Sequence, residues 1–402
     1  MSSNASDHCG PQAVMFGAGN VGRGFLGQLF SESGYRVVFV DIDERLVKAL
    51  AEDERYTLRL VDNESQRDLT IAPVTAVLAS DTDLVADAIL EASIAATAVG
   101  ARALEHIAPT LASGIARRQE HGVEEPLNII VCENLKGAAS ILHGMVAKHL
   151  SDVQRSYLDA HVGFVNTVIG RMVPELPASL REEQPSLIIA EPYKELPVDA
   201  QGFLGPVPEI VGMEAHDGFE LYTARKLYLH NAGHAILGYL GYQRGHAYGY
   251  EGLADQAIRR VLEAALDESA HGIAASFDAE LAWLQAHVAD LLRRFDNRAL
   301  GDPVKRLARD PLRKLAPEDR LVGAARLAER AGVSPENLAW GIAGALAYDE
   351  PSDPMAVRLA QRVADEGVVS VMKDVAGIRA SEPLGKLVLA RLEDLGRGDP
   401  WA

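Results

Sequence analysis

Cysteine is nearly absent from this chain. Only Cys9 and Cys132 occur in 402 residues, which excludes a disulfide framework and a four-cysteine zinc site and points to a cytoplasmic protein. Positive charge is also scarce: 39 lysines and arginines stand against 57 aspartates and glutamates, a net −18 at pH 7. A field of that sign repels phosphate polyanions, so neither nucleic acid nor an anionic membrane is expected as a partner. No stretch supplies the ~18 consecutive apolar residues of a membrane span. The opening MSSNASDHCGPQ lacks the basic start and apolar core of a secretory signal. No repeat of fixed period and no low-complexity tract occurs, which sets solenoids aside.

What is present is globular. Hydrophobic residues make up 48% and charged residues 24%, and the length predicts two domains. In the N-terminal third, short apolar runs at Ala13–Phe16, Arg36–Val40 and Leu127–Val131 read as strands. Between the first two, Val21–Ser33 carries apolar residues at helical spacing and Gly34 is placed to stop it, so the segment is a βαβ unit. From about residue 185, Pro192, Pro197, Pro206 and Pro208 suggest an irregular crossing between domains. Beyond Phe219 the chain is alanine-rich, with proline-free runs at Tyr250–His271 and Ala279–Phe295. The expected fold is α/β: a Rossmann-type parallel-sheet domain over residues 1–190, then a mainly helical substrate domain over 191–402.

The first apolar run leads into Gly17-Ala18-Gly19-Asn20-Val21-Gly22, the GxGxxG pattern. Its first glycine permits a tight turn, the second lets backbone approach a pyrophosphate, and the third lets helix pack on strand. The pattern alone is weak, since most matches are ordinary turns; the βαβ context and Asp41 at the end of VVFV make it specific. A carboxylate there accepts from the adenosine ribose hydroxyls and repels a 2′-phosphate, so NAD is the expected cofactor. Two alternatives stand beside this: Asp41 as an N-cap for Glu44–Glu52, and Arg45 as an aid to NADP. Thr97-Ala98-Val99-Gly100 reads as a strand end of small residues where a nicotinamide could approach backbone, or as a plain strand-to-helix turn. Gly17, Gly19, Asn20, Val21, Gly22, Asp41, Thr97 and Val99 are the cofactor candidates.

A second constellation lies in KLYLHNAGH, residues 226–234. On an α-helix Asn231 falls ~140° and His234 ~80° around from Lys226, within one broad face. Lys226 could then act as a general base toward a secondary alcohol, provided burial or nearby positive charge lowers its pKa. Asn231 could donate to a developing alkoxide and His234 could orient a hydroxyl, with no metal needed. The plain alternative is an amphipathic helix with a solvated lysine and a satisfied core histidine. Tyr222 and Lys226 also spell YxxxK, the pair of short-chain dehydrogenases, but the glycine pattern and length differ from theirs.

Five blocks, GAGNVGRGFLG, CENLKG at 132–137, HVGFVNTVIGRMVP at 161–174, KLYLHNAGHAILGYLG at 226–241 and RLARDPLRKLAPEDRL at 306–321, resemble in unchanged order those of the polyol-specific long-chain dehydrogenase/reductase family. The likeness is to its mannitol-1-phosphate 5-dehydrogenase branch. It implies a Rossmann domain joined to a helical one, metal-free chemistry and interconversion of a polyol and a ketose. It makes Lys226 the general base, pairs Asn134 with Asn231 as alkoxide donors and gives His234 a substrate contact. A monomer is favoured, although the oligomeric state stays open. Asn134 could otherwise cap a helix over Leu135–Ala147. One block departs: Ile169-Gly170-Arg171 stands where the resemblance leads us to expect an aspartate before the arginine, and Asn166 is the residue that could replace it.

Residues 305–314, KRLARDPLRK, hold five basic side chains against one acidic one in an otherwise acidic protein. Guanidinium forks suit phosphate, so Arg306, Arg309, Arg313 and Lys314 are candidates for a phosphosugar clamp: Arg306 and Lys314 match substrate-contacting positions through the resemblance, and Arg309 is the expected phosphate-specific element. A solvated basic face or a set of ion pairs is the alternative. The expected activity is NAD-dependent interconversion of mannitol 1-phosphate and fructose 6-phosphate, a small-molecule reaction. Its rivals are a dehydrogenase of an unphosphorylated polyol or hexuronate, and a nucleotide-sensing protein without chemistry.

Overall fold

The computed structural model describes residues 10–396; Cys9 and the rest of the polar start before Gly10 lie outside them. The chain divides into two compact units, Met1–Phe219 and Glu220–Ala402.

The first unit contains β1 (Gln12–Phe16), β2 (Arg36–Asp41), β3 (Tyr56–Val61), β4 (Gln66–Ile71), β5 (Val74–Leu78), β6 (Ala92–Thr97), β7 (Leu127–Val131) and β8 (Val162–Asn166). Six of these form one sheet in the order β5-β2-β1-β6-β7-β8, every neighbouring pair parallel. Counted within the sheet this is the order 3-2-1-4-5-6 of a dinucleotide-binding fold. The strands are mostly apolar because both faces are covered. In β1, Ala13 and Met15 enter one core with Phe25, Leu29 and Phe39, whereas Val14 and Phe16 enter the other with Leu111 and Ile129. Leu127–Val131 is found as expected, and β2 runs one residue beyond expectation, to Asp41. The helix after the glycine loop stops before Gly34, whose φ of +83° a side chain would resist.

The expected domain boundary at 190/191 is corrected. The segment 185–216 is part of the first unit: β9 (Ile188–Ala190) pairs with β3, and β10 (Leu196–Asp199) pairs with β11 (Met213–His216). Thr167 bridges to Val198, and Asn128 exchanges hydrogen bonds with Leu204. The prolines there punctuate short strands instead of a linker, and the division falls at Phe219/Glu220.

Every named element of the second unit's described residues is a helix. Ala232–Gln243 is apolar on nearly every side and buried accordingly. The expected helix Tyr250–His271 is two helices, Gly249–Ala254 and Gln256–Phe277. Asp255 breaks it: its backbone is extended and its carboxylate accepts from the Ala257 and Ile258 amides, starting a new helix. Leu281–Phe295 begins two residues later than expected, after Asp278 in the left-handed region. A Cβ on Gly238 would lie 2.8 Å from the Ala308 nitrogen. That glycine lets Val304–Ala308 pack directly on Ala232–Gln243.

Among the described residues no helix is long and apolar enough to cross a membrane. No group of three histidine, cysteine or acidic side chains there could hold a metal ion.

Candidate active site

Strand register collects the first unit's candidates on one edge. Phe16 aligns with Val40 and with Thr97, Thr97 with Val131, and Val131 with Asn166. Gly17, Asp41, Val99, Asn134 and Asn166 therefore all sit at or just beyond the carboxyl ends of adjacent strands, where such sheets bind ligands.

The three loop glycines answer to different constraints. Gly17 has φ +94° and a Cβ there would be 2.5 Å from the Ala98 oxygen, so the β1 turn presses on the end of β6. A Cβ on Gly22 would be 2.0 Å from the Gly17 oxygen, which closes the turn against the helix. A Cβ on Gly19 would meet nothing within 4 Å. Its bare backbone faces open space beside the helix that begins at Asn20, and that is the cradle a pyrophosphate requires. Val21 follows in the first turn, and the Asn20 amide reaches the Val173 carbonyl at 3.4 Å. Residues Gly22–Leu26 form one π-helical turn before the α-helix resumes, a local form that recurs at functional sites.

Asp41 is half-buried. Its Oδ2 accepts from the Ala18 amide at 2.6 Å and its Oδ1 from the Ile42 and Asp43 amides at 2.7 and 3.0 Å. The carboxylate thus faces the glycine loop, where a ribose would lie. The N-cap of Glu44–Asp53 is Asp43, not Asp41. Arg45 donates to the Glu182 carbonyl, which competes with any 2′-phosphate. Two further arginines are structural. Arg23 binds the Ala18 carbonyl and those of residues 185–187, and Arg171 donates to Glu191, Gly24 and Gln28. At Gly170 a Cβ would come within 3.0 Å of the Tyr193 ring. A side chain there would need the Tyr193 ring to move by a few tenths of an ångström.

Past β6, Thr97 is fully buried and Gly100 has φ +91°. The Val99 and Gly100 amides both donate, each at 2.9 Å, to the Glu133 carboxylate. Burial pushes the Glu133 carboxyl up and these amides pull it back in part. Sequence reading missed Glu133, whose only signal was its place next to Asn134 in CENLKG. Asn134 itself is exposed, and the following helix, Ala138–Ala147, is capped by Gly137. The capping alternative for Asn134 is therefore set aside. Asn166 accepts from the Ala139 amide at 3.2 Å, so its oxygen serves that helix and its amide nitrogen is the group left to meet a ligand.

In the second unit, Lys226–Asn231 is a π-helical turn. Its i→i+5 hydrogen bonding brings Asn231 nearly one turn below Lys226, closer than the ~140° offset of an α-helix. No residue pattern announced this. Lys226, Asn231 and His234 are all half-buried. The His234 ring stacks on Phe295 with centroids 4.3 Å apart, and His230 meets His234 edge-on at 4.7 Å. Burial, then the charges of Arg306, Arg294, Lys314 and Arg320, hold His234 well below the usual histidine range. Burial, then His234, Arg294 and Lys226, do the same for His230. Both imidazoles are neutral at pH 7, so His234 can donate or accept without carrying charge. Tyr222, the tyrosine of the YxxxK pair, packs edge-on against Trp283, and Arg225 lies over both rings.

The basic segment is mostly neutralised. Lys305 pairs with Glu350, Arg306 with Asp302, and Arg313 with Asp310. Lys314 is buried, donates to the Leu307 carbonyl and lies 5.6 Å from the Tyr239 ring centroid. Burial and the nearby Arg320 and Arg313 hold it well below the usual lysine range. Arg309 differs from all of them: it is exposed and makes no hydrogen bond or ion pair among the described residues.

Residues 11–212 match the mannitol dehydrogenase Rossmann domain, and residues 219–395 match the mannitol dehydrogenase C-terminal domain. The mannitol-1-phosphate 5-dehydrogenase of Bacillus velezensis is 39% identical over 381 residues, 94% of this chain and 99% of that protein. That of Bacillus subtilis is 38% identical over 381 residues, with the same coverage of 94% and 99%. In structure, D-sorbitol dehydrogenase in substrate-free form has a TM-score of 0.81 at 16% identity, covering 98% of this chain and 96% of that one. Pseudomonas fluorescens mannitol 2-dehydrogenase, in ternary complex with NAD and D-mannitol, has a TM-score of 0.73 at 18% identity, covering 96% and 91%. At these identities the structural likeness bears on the fold alone. The domain matches and the near full-length identity agree: the chain belongs to the mannitol dehydrogenase family.

Proposed function

We propose that this chain is an NAD-dependent oxidoreductase that interconverts D-mannitol 1-phosphate and D-fructose 6-phosphate. The observation that carries this reading is its 37–39% identity, over nearly all of both chains, to relatives named mannitol-1-phosphate 5-dehydrogenase. The open backbone at Gly19 and the Asp41 carboxylate fit the dinucleotide.

NAD, when bound, supplies the hydride acceptor, or the donor in the reverse direction. Gly17, Gly19, Asn20, Val21 and Gly22 hold the pyrophosphate, Asp41 the ribose, and Thr97 and Val99 border the nicotinamide. Lys226 removes the proton of the C5 hydroxyl, with its Nζ as the base. The Asn134 and Asn231 amides donate to the alkoxide oxygen as charge develops there. Neutral His234 and the Asn166 amide orient neighbouring hydroxyls. Arg309, with no partner among the described residues, takes the phosphate, and Arg306 and Lys314 frame that end of the substrate.

The test is NADH oxidation against a panel of ketoses with and without phosphate. Preference for fructose 6-phosphate is expected. Faster turnover of fructose or fructuronate overturns the reading in favour of a plain polyol or hexuronate dehydrogenase, and NADH binding without any turnover favours a sensor.

A further inference from the structure

The ends of β6 and β7 are fastened together at three points. The Cys132 amide donates to the Thr97 carbonyl at 2.9 Å. One residue on, both oxygens of Glu133 accept at 2.9 Å, Oε1 from Val99 and Oε2 from Gly100. Only 8% of Glu133 is exposed, so solvent does not hold this carboxylate in place. Gly100, at φ +91°, turns its amide toward the carboxylate in a conformation that side chains resist. Asn134 follows Glu133 directly and is exposed at the same edge. Beyond the last backbone bond, from Cys132 to Thr97, the Glu133 carboxylate is what ties the backbone after β6 to the loop that carries Asn134.

We propose that Glu133 is a positioning residue for the reaction: by clamping the Val99 and Gly100 amides it locks the cofactor-facing backbone and the Asn134 amide into one rigid edge. This rests on the reading above, in which Thr97–Gly100 borders the cofactor and Asn134 meets the substrate oxygen. Glutamine in its place offers one acceptor and turns an NH2 toward the other amide, so one of the two bonds becomes a donor facing a donor. Aspartate keeps the charge but is one methylene short of spanning both amides.

The experiment compares Glu133→Gln, Glu133→Asp and Asn134→Ala in the full chain by NADH titration, thermal unfolding and steady-state kinetics. In Glu133→Gln the NADH Kd is expected to rise about tenfold, the loss of one charge-assisted bond. Its kcat with fructose 6-phosphate should fall by more than about tenfold while KM stays within about twofold, the mark of misplaced groups and not of lost substrate contacts. A carboxylate with a merely structural role would lower the unfolding midpoint and leave the NADH Kd, measured well below that midpoint, unchanged. An unchanged Kd and kcat in Glu133→Gln overturn the proposal whatever Asn134→Ala does. Full kcat in Asn134→Ala refutes the role given to Asn134, while a weakened NADH Kd in Glu133→Gln still supports the clamp. If Glu133→Gln does not fold, Glu133→Asp carries the same two outcomes.

Discussion

The imidazole of His234 lies on the ring of Phe295, centroids 4.3 Å apart and planes 30° from parallel, and the contact exists because Gly233 has no side chain. A Cβ on Gly233 would come within 2.9 Å of that ring. Phe295 thus supplies the flat wall that fixes the orientation of the histidine.

Replacing Phe295 by alanine should cost about 3–5 kcal/mol of stability, as for any large buried ring. The informative variant is Phe295→Leu, which keeps most of the volume and loses the flat face. It should retain most of the stability in chemical denaturation yet lower kcat on the order of tenfold, because His234 is no longer held in one orientation. An unaltered kcat would remove the ring from the mechanism.

Arg309 and Arg306 should separate cleanly. Arg309→Gln is expected to raise KM for fructose 6-phosphate on the order of tenfold or more, with unfolding unchanged and turnover of plain fructose unaffected. Arg306→Gln breaks the pair with the half-buried Asp302, so it should lower stability as well. Equal effects of Arg309→Gln on phosphorylated and plain substrates would move the phosphate elsewhere.

Two glycines of one loop should fail differently. Gly19→Ala adds a methyl that meets no atom of the chain, so the protein should unfold at its usual temperature and yet lose NADH affinity, since the methyl takes the space of the cofactor. Gly22→Ala collides with the Gly17 oxygen and should lower both the unfolding midpoint and NADH binding. Full NADH affinity in Gly19→Ala would place the pyrophosphate somewhere else.

Three histidines held below their usual range predict acid sensitivity. His287 is lowered to about 3, chiefly by burial and then by Arg225 and Arg294, and His230 and His234 are lowered as well. An unfolded histidine takes up a proton near pH 6.5 while the folded one does not, so the unfolded state binds more protons and stability falls as pH drops below 6.5. For His287 the loss continues down to about pH 3. Each such histidine contributes up to about 1.4 kcal/mol per pH unit. Denaturant titrations between pH 7 and pH 5 should show the slope, and His287→Gln should reduce it by roughly one proton; an unchanged slope would mean that His287 protonates in the folded state.

Much of the first unit was legible because a parallel strand covered on both faces is mostly apolar, as Leu127–Val131 is. The glycine loop and Asp41 were legible for a related reason: a turn that tight tolerates few residue types. Glu133 was not, since a lone glutamate carries no sign of the two amides that come to meet it from the turn after β6, 34 and 33 residues earlier. Arg171 and Lys314 look alike in sequence as basic residues of matched blocks, yet both are buried and bonded to backbone carbonyls.

By itself the sequence determined the class of molecule. Scarce cysteine excluded a disulfide framework, and local patterns specified a βαβ nucleotide fold followed by helices, because strand periodicity, turn chemistry and glycine spacing act between near neighbours. Tertiary structure decided which of these residues are available for chemistry. Of the five basic side chains at 305–314, four are occupied by carboxylates or a carbonyl, and Arg309 alone has no partner among the described residues. The π turn at Lys226–Asn231 likewise replaces the offset that an α-helix would impose. Both outcomes depend on partners distant in the chain or on a backbone choice between i→i+4 and i→i+5 bonds, and neither leaves a mark on the order of the residues.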